Sequence, residues 1–177
     1  MPQEDSPKVS VVVGDRNESQ HDFIPVVLIL DRLRSAHNVG NLFRLADAVR
    51  LEKVLTCGYT ATPPHPKLKK TAMGTDEFVL CEHYETTPEA VLAMKAEGYE
   101  IVAVETVEQS ESIWDAEFTK PTAIIFGNEA LGVQEEVLAL CDRFVSLPAF
   151  GLKNSINVSN CAAVVLFKAA ECFKTTV

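Results

Sequence analysis

The chain has 177 residues, which fits one domain of ordinary size, and its 47% hydrophobic content can supply a sizeable core. Its formal net charge of −9 argues against a general polyanion-binding protein, so any nucleic-acid function would need a local basic surface. No apolar run reaches membrane-span length, residues 1–20 lack the apolar region of a signal peptide, and five scattered cysteines favour reduced thiols. We therefore expect a cytoplasmic protein with no membrane segment and no bound metal.

Strands and helices are predicted to alternate along the chain. Residues 1–22 are expected to form a loosely ordered leader, and residues 23–177 a single domain. Short aliphatic or β-branched runs predict strands at residues 9–13, 25–30, 54–57, 78–81, 101–104, 122–126 and 144–147. Apolar residues at helical spacing and helix-start residues predict helices at residues 38–49, 87–97, 133–141 and 158–173.

Two local signals refine this prediction. Thr87 and Pro88 favour the N-cap and first position of a helix that ends at Gly98. Residues 59–76 carry three prolines and are expected to form a long loop. Alternating strands and helices indicate an α/β fold, with a mostly parallel sheet covered by helices on both faces.

Three segments rich in glycine and polar residues lie at predicted connections from a strand to a helix. They are residues 38–44, 126–132 and 147–159. In an open parallel sheet, ligands bind at the carboxyl ends of the strands. Three such turns in one domain therefore predict a single site that is assembled from distant parts of the chain.

The first segment begins with Asn38 and places Arg44 on the second turn of a helix. A guanidinium is permanently charged and presents a planar fork that suits phosphate. The alternative is a surface arginine paired with Asp47 or Asp31, and spacing alone favours that alternative.

The second and third segments differ in how specific they are. Gly127 would allow a close backbone approach to a ligand, whereas Glu129 would either accept a hydrogen bond in the site or simply favour a helix N-terminus. The third segment holds a glycine and four small polar residues before an apolar helix, although one N-cap would suffice. This excess indicates a polar ligand. Its members are Gly151, Asn154, Ser155, Asn157 and Ser159.

Together the three segments resemble the motifs of the SpoU/TrmH family of RNA 2′-O-methyltransferases, in the SPOUT class. The first matches as Asn38 with Arg44 six residues on, and the second as Gly127-x-Glu129-x-x-Gly132. The third matches from Leu147 through Gly151 to the Ser-Ile-Asn-Val-Ser run at residues 155–159. The chain departs from the family at Arg50, where Gly is usual, and at Ala149 and Cys161, where Met and Ala are common.

The resemblance implies a fold, a reaction and a set of site residues. Family members have a C-terminal deep trefoil knot that holds S-adenosylmethionine, and they act on tRNA or rRNA as homodimers. By motif position, the catalytic residues would be Arg44, Asn38, Glu129, Ser155 and Asn157. The cofactor-binding residues would be Glu105, Gly127, Leu147, Gly151, Leu152 and Ser155.

Two other functions remain open from the residues alone: a catalytically inactive knotted RNA-binding module, and an unrelated doubly wound nucleotide-binding enzyme. The absence of a Gly-x-Gly-x-x-Gly turn counts against the latter. For RNA contact, the candidate cations are Arg32, Arg34, Arg44, Arg50, Lys67, Lys69 and Lys70. The alternative for the three lysines is a solvated loop.

Overall fold

The computed structural model describes residues 22–153 and 155–174. The strand predicted at residues 9–13, and the leader before residue 22, lie outside this range. Within it, the strands are β1 (Ile24–Asp31), β2 (Leu51–Cys57), β3 (Cys81–Tyr84), β4 (Glu100–Val104), β5 (Glu111–Ser112), β6 (Thr122–Phe126) and β7 (Arg143–Ser146). They form one sheet in the order β3-β2-β1-β6-β4-β7-β5, and every pairing is parallel.

The helices are α1 (Ala36–Val49), α2 (Pro66–Ala72), α3 (Thr87–Ala96), α4 (Glu135–Leu138) and α5 (Val158–Lys174), with a 3-10 turn at Thr75–Glu77. The Ser35 side chain caps α1 by accepting from the Asn38 N–H. The side chains and backbones of Thr86 and Glu89 form a capping box at the start of α3. No helix in the described part of the chain is long and apolar enough to cross a membrane.

Helices cover both faces of the sheet, as predicted. Every residue of β1 except Pro25 is buried, so this strand contributes to two cores. On one face, Val26, Leu28 and Leu30 belong to a core that includes residues of α1, α2 and α5. On the other face, Val27 and Ile29 belong to a core built with α3 and α4. The α/β prediction is therefore confirmed.

Several predicted boundaries are wrong. The predicted loop at residues 59–76 contains α2, because Pro66 occupies the first turn of a helix instead of interrupting one. The strand predicted at residues 78–81 lies at Cys81–Tyr84, the short β5 was not predicted, and Thr86 instead of Thr87 is the N-cap of α3. The helix predicted at residues 133–141 is shorter and comprises only α4. It begins late because Gln134 is still extended, with φ −62° and ψ 144°.

Arg50 stands where the family usually has glycine, and the structure shows how an arginine is accommodated there. This residue ends α1 in the left-handed conformation, with φ 57° and ψ 53°, which glycine adopts most easily. Its guanidinium carbon lies 4.9 Å from the centre of the Phe23 ring, an attractive cation–π arrangement. Arg50 therefore occupies a position whose backbone favours glycine, and it contributes a packing contact that glycine could not make.

Candidate functional site

The three glycine and polar segments meet at one edge of the sheet. They follow β1, β6 and β7, and because all strands run parallel, their carboxyl ends lie on the same side. The segment after β4 joins them there through Glu105, which bonds the turn after β6. The predicted convergence of the three segments is confirmed.

Glu129 is the acceptor at the centre of this edge. Its carboxylate accepts hydrogen bonds from the N–H of Arg34 at 2.9 Å, the N–H of Ser35 at 3.1 Å and Nδ2 of Asn38 at 2.9 Å. Partial burial alone would raise the pKa of Glu129, but these donors favour the ionised form and hold the pKa below its ordinary value. The carboxylate thus fastens the start of the first segment to the second.

Asn38 connects Glu129 to the third segment. With its Nδ2 donating to Glu129, its Oδ1 accepts from Nδ2 of Asn157 at 3.2 Å. Asn157 in turn caps α5, because its Oδ1 accepts from the N–H of Ser159 at 2.9 Å and from the Ser159 hydroxyl at 2.6 Å. A continuous hydrogen-bonded chain therefore joins Asn157, Asn38 and Glu129, one residue from each segment.

A cavity of about 590 Å³ opens beside this chain, and we call it the strand-end cavity. Glu129 and Asn157 contribute to its wall, as do four of the residues predicted to bind a cofactor: Glu105, Gly127, Leu147 and Ser155. Gly151 and Leu152 do not line it, and both are exposed. The structure thus brings together most of the predicted cofactor residues and leaves these two outside.

Glu105 links two segments that line the strand-end cavity. One carboxylate oxygen accepts from the N–H of Thr106 at 3.0 Å and the other from the N–H of Val133 at 3.1 Å. The carboxylate lies so close to Gly132 that a Cβ there would overlap it, and the φ of Gly132 is +69°. A carboxylate has about four acceptor positions, so Glu105 can still accept from a ligand.

Gly127 is required by the turn itself. A Cβ at this position would overlap the backbone of Gly132 and Val133, which packs directly against it. The sequence explained this glycine by close approach to a ligand, whereas the structure shows close approach of the chain to itself. The tight turn places Glu129 next to the start of α1.

Arg44 lies on the exposed surface of α1 and does not line the strand-end cavity. It stands six residues from Asn38, about 9 Å along the helix axis. Neither ion pair considered from the sequence forms: within residues 22–153 and 155–174, the salt bridges include none of Arg44 with Asp47 or Asp31. The guanidinium therefore faces solvent near the site.

Sequence reasoning missed two buried polar residues of this edge. Asn128 donates to the Arg32 carbonyl and the Tyr59 hydroxyl, both at 2.8 Å, and its Oδ1 accepts two N–H groups of its own turn. Asp31, at the end of β1, accepts from the Thr87 hydroxyl at 2.7 Å and from the backbone and side chain of Gln134. Their only sequence signal was a polar residue at or close to the end of a buried strand.

Comparison with known proteins agrees with this arrangement. The model of the SpoU rRNA Methylase family matches residues 25–167. The chain belongs to the SpoU rRNA Methylase family. The resemblance read from the three motifs is thereby confirmed.

Two proteins named as RNA 2′-O-methyltransferases are similar over most of this chain. A tRNA (guanosine(18)-2′-O)-methyltransferase of Thermus thermophilus is 32% identical over 144 residues, covering 81% of this chain and 73% of that protein. A 23S rRNA (uridine(2479)-2′-O)-methyltransferase of Streptomyces viridochromogenes is 33% identical over 162 residues, which are 89% of this chain but only 55% of that protein.

Solved SpoU-family structures share the fold. The TrmH/SpoU tRNA modifying enzyme of A. aeolicus superposes with a TM-score of 0.78 at 24% identity, over 86% of this chain and 77% of that chain. The SpoU methyltransferase AviRb of Streptomyces viridochromogenes, in complex with the cofactor AdoMet, has a TM-score of 0.74 at 27% identity, over 90% and 62%. The parallel α/β sheet is thus the family's architecture.

Proposed function

We propose that this protein transfers a methyl group from S-adenosylmethionine to a ribose 2′-hydroxyl of tRNA or rRNA. The observation that carries the proposal is the hydrogen-bonded chain of Asn157, Asn38 and Glu129 beside the strand-end cavity. It joins all three family motifs into one site. The relatives that support it are named for tRNA in one case and 23S rRNA in another, so both RNA classes belong to the proposal.

The residues of the strand-end cavity fit S-adenosylmethionine. Its wall combines apolar side chains, such as Leu147 and Ile156, with the backbone of the turn after β6 and the Glu105 carboxylate. Such a mixture suits a nucleoside, whose base needs apolar contact and whose hydroxyls need acceptors. When bound, S-adenosylmethionine supplies the methyl group as an electrophile. Gly151 and Leu152 remain proposed cofactor residues on motif position alone.

Arg44 is proposed as the main catalytic residue. A ribose hydroxyl is a weak nucleophile, and negative charge develops on its oxygen as the proton leaves. A fixed positive charge stabilises that oxygen, and such electrostatic stabilisation is usually the largest single term in catalysis. Guanidinium does not deprotonate in proteins, so Arg44 holds the target phosphate and stabilises the oxyanion, while the proton passes to phosphate or water.

The remaining motif residues are proposed to position the site. Asn38, Glu129 and Asn157 are bonded to one another or to backbone, so their polar atoms are largely occupied. Ser155 lines the strand-end cavity and is exposed, which leaves its hydroxyl accessible to a ligand. These residues therefore order the loops around the reacting groups, with Ser155 nearest to the substrate.

The finer features expected from the sequence and from the resemblance belong to the same proposal. They are the C-terminal trefoil knot, a homodimer whose interface completes the substrate site, the single domain of residues 23–177, and a cytoplasmic location. A site completed by a second copy accords with the position of Arg44, which is exposed on α1 and outside the cavity wall of its own chain. No group of three or more His, Cys, Asp or Glu side chains in the described ranges is arranged to hold a metal ion.

Methyl transfer from labelled S-adenosylmethionine tests the proposal. Purified protein should label unmodified tRNA or rRNA, and mass spectrometry of the digested product should find a 2′-O-methylated nucleoside. Heat-inactivated protein is the control. Binding of RNA without transfer to either class, under conditions where S-adenosylmethionine binds, would instead identify a non-catalytic RNA-binding module.

A further inference from the structure

A second cavity, of about 750 Å³, lies between the segment before α1 and the segment from the end of β2 into α2. Five basic side chains contribute to its wall, and we call it the basic cavity. They are Arg34, His37, His65, Lys67 and Lys70. Among the described residues that line it, none is an Asp or Glu.

This concentration of positive charge contrasts with the rest of the molecule. The whole chain has 25 acidic residues against 16 Lys and Arg, a net charge of −9. A cavity wall with three permanent cations and no carboxylate is therefore a local exception, and its field favours an anionic ligand. The net negative charge of the chain makes this local group of cations a favoured place for an anionic ligand.

The structure also separates the basic residues that the sequence could not rank. Lys69 forms an ion pair with Glu77 at 2.8 Å, and Arg32 forms one with the buried Asp31 at 3.2 Å. Arg50 lies over the Phe23 ring. Lys67 and Lys70, by contrast, are exposed and face the basic cavity. Two of the three neighbouring lysines are thus available to a ligand there.

The basic cavity is built from well-held segments. The Thr71 hydroxyl lies within hydrogen-bond distance of two carbonyl oxygens, that of His37 at 3.3 Å and that of Leu68 at 3.1 Å, so α2 contacts the start of α1. A Cβ on Gly40 would overlap Thr71, so the two helices pack as closely as their backbones allow. The buried Thr60 hydroxyl accepts from the N–H of Leu33 at 3.0 Å and fixes the loop after β2. The cations are therefore presented on a preformed surface.

Hydrogen bonds connect the wall of the basic cavity to the wall of the strand-end cavity. Arg34 and Ser35 line the basic cavity, and their backbone N–H groups donate to Glu129, which lines the strand-end cavity. A ligand in the basic cavity would thus lie one chain segment away from the cavity proposed for the methyl donor. A polymer could occupy the basic cavity while one of its units lies at the strand-end cavity.

We infer that the basic cavity binds backbone phosphates of the substrate RNA next to the nucleotide that is methylated. The inference rests on the proposed function, because that function places the reacting ribose beside the strand-end cavity. Lysine ammonium and arginine guanidinium groups are the standard partners of phosphate oxygens, and such contacts position RNA without reading its sequence. The basic cavity therefore positions the chain of the RNA, and the reacting nucleotide lies in the neighbouring site.

The test compares the double variant Lys67→Ala/Lys70→Ala with Lys69→Ala. All three lysines are exposed residues of α2, but Lys69 is paired with Glu77 and does not line the basic cavity. Affinities for labelled unfractionated tRNA and rRNA are measured over a range of salt concentrations. Loss of two phosphate contacts should reduce the slope of log K against log salt by about 1–2 and weaken binding at least about tenfold at low salt.

The matched control and the second readout separate the outcomes. Lys69→Ala should keep wild-type RNA affinity and salt dependence, and all variants should bind S-adenosylmethionine and unfold like the wild type. Equal RNA affinity and slope in the double variant and in Lys69→Ala would overturn the inference, as would a wild type that binds neither RNA. Stabilisation of the wild type by inorganic phosphate, with RNA affinity unchanged in the double variant, would assign the cavity to a small anion and also overturn it.

Methyl transfer by the wild type is measured alongside. Its absence, with RNA affinity still dependent on Lys67 and Lys70, would refute the proposed reaction and support the basic cavity as an RNA phosphate site. Its presence, with RNA affinity independent of these lysines, would support the reaction and refute the inference.

Discussion

The side-chain amide of Asn157 donates to Oδ1 of Asn38 at 3.2 Å, although 119 positions separate the two residues in the sequence. Each residue lies at the start of a helix: Asn38 in the first turn of α1, and Asn157 as the cap of α5. Since Asn38 also donates to Glu129, two helix starts and the turn after β6 are held in fixed relation. The site geometry depends on this contact.

Replacement of Asn157 should separate its two tasks. Asn157→Asp keeps an oxygen that can accept from the N–H of Ser159. It loses the amide that donates to Asn38, and it places a carboxylate oxygen opposite Oδ1 of Asn38, where both atoms are acceptors. Asn157→Ala loses the cap as well, which typically costs about 1 kcal/mol more. The free energy of unfolding measured in urea should therefore be higher for the wild type than for Asn157→Asp. Asn157→Ala should lose methyl transfer at least as severely as Asn157→Asp.

A double-mutant cycle with Asn38→Ala checks that the two residues are energetically coupled. Residues in one hydrogen-bond network couple by about 0.5–3 kcal/mol, whereas independent residues add. We expect coupling between Asn38→Ala and Asn157→Ala within that range. Strict additivity of the two unfolding free energies would contradict the bonded chain.

Arg44→Ala should abolish most of the proposed methyl transfer while leaving S-adenosylmethionine binding intact. Loss of one electrostatic contact to a developing oxyanion typically costs about 10²–10³ in turnover. Asp47→Ala is the matched control, because Asp47 is exposed on the same helix and would be the partner if Arg44 had a surface structural role. Similar kinetics for both variants would remove Arg44 from the reaction.

Glu129→Gln should destabilise the protein in a pH-dependent way. Burial favours the neutral acid, but the donors from Arg34, Asn38 and Ser35 outweigh it and lower the pKa of Glu129. A lowered folded-state pKa contributes stability that is fully present above the unfolded-state pKa of about 4.3 and is lost as pH falls through the folded-state value. Thermal unfolding from pH 7 to pH 3 should show the gap between wild type and variant narrowing below about pH 4.3. A constant gap would contradict this assignment.

Gly127→Ala should disturb both stability and cofactor binding. The new methyl group would overlap the backbone of Gly132 and Val133, and overpacking of this kind typically costs about 1–3 kcal/mol. Gly151→Ala is the control: nothing lies within 4 Å of a Cβ there, so its stability should stay within about 0.5 kcal/mol of wild type. Calorimetry with S-adenosylmethionine on Gly151→Ala also decides whether Gly151 contacts the cofactor.

The sequence predicted the sheet well, because β1, β4 and β6 are continuous aliphatic runs whose burial on both faces leaves a local signature. The helix α2 was missed because three nearby prolines favour a loop, and only packing against α1 shows that Pro66 starts a helix. The two-residue β5 has too little sequence to carry a pattern.

The sequence predicted part of the strand-end cavity wall, but not the contacts between its residues. The composition of the three segments and their resemblance to the family motifs pointed to Asn38, Glu129 and Asn157, and the structure bonds these residues together. The burial of Asp31 under Gln134 depends on contacts across 103 positions, which no local pattern encodes. The same holds for Gly127, whose neighbour is the chain itself.

The place of β1 in the sheet has a consequence for synthesis on the ribosome. Its partner on one side, β2, emerges soon after it, but its other partner, β6, follows about ninety residues later. Until then one edge of this largely apolar strand has no partner, and such edges favour pairing with other chains. We therefore expect nascent chains that stop before Thr122–Phe126 to aggregate or to be held by chaperones, and chains that include this strand to become resistant to protease.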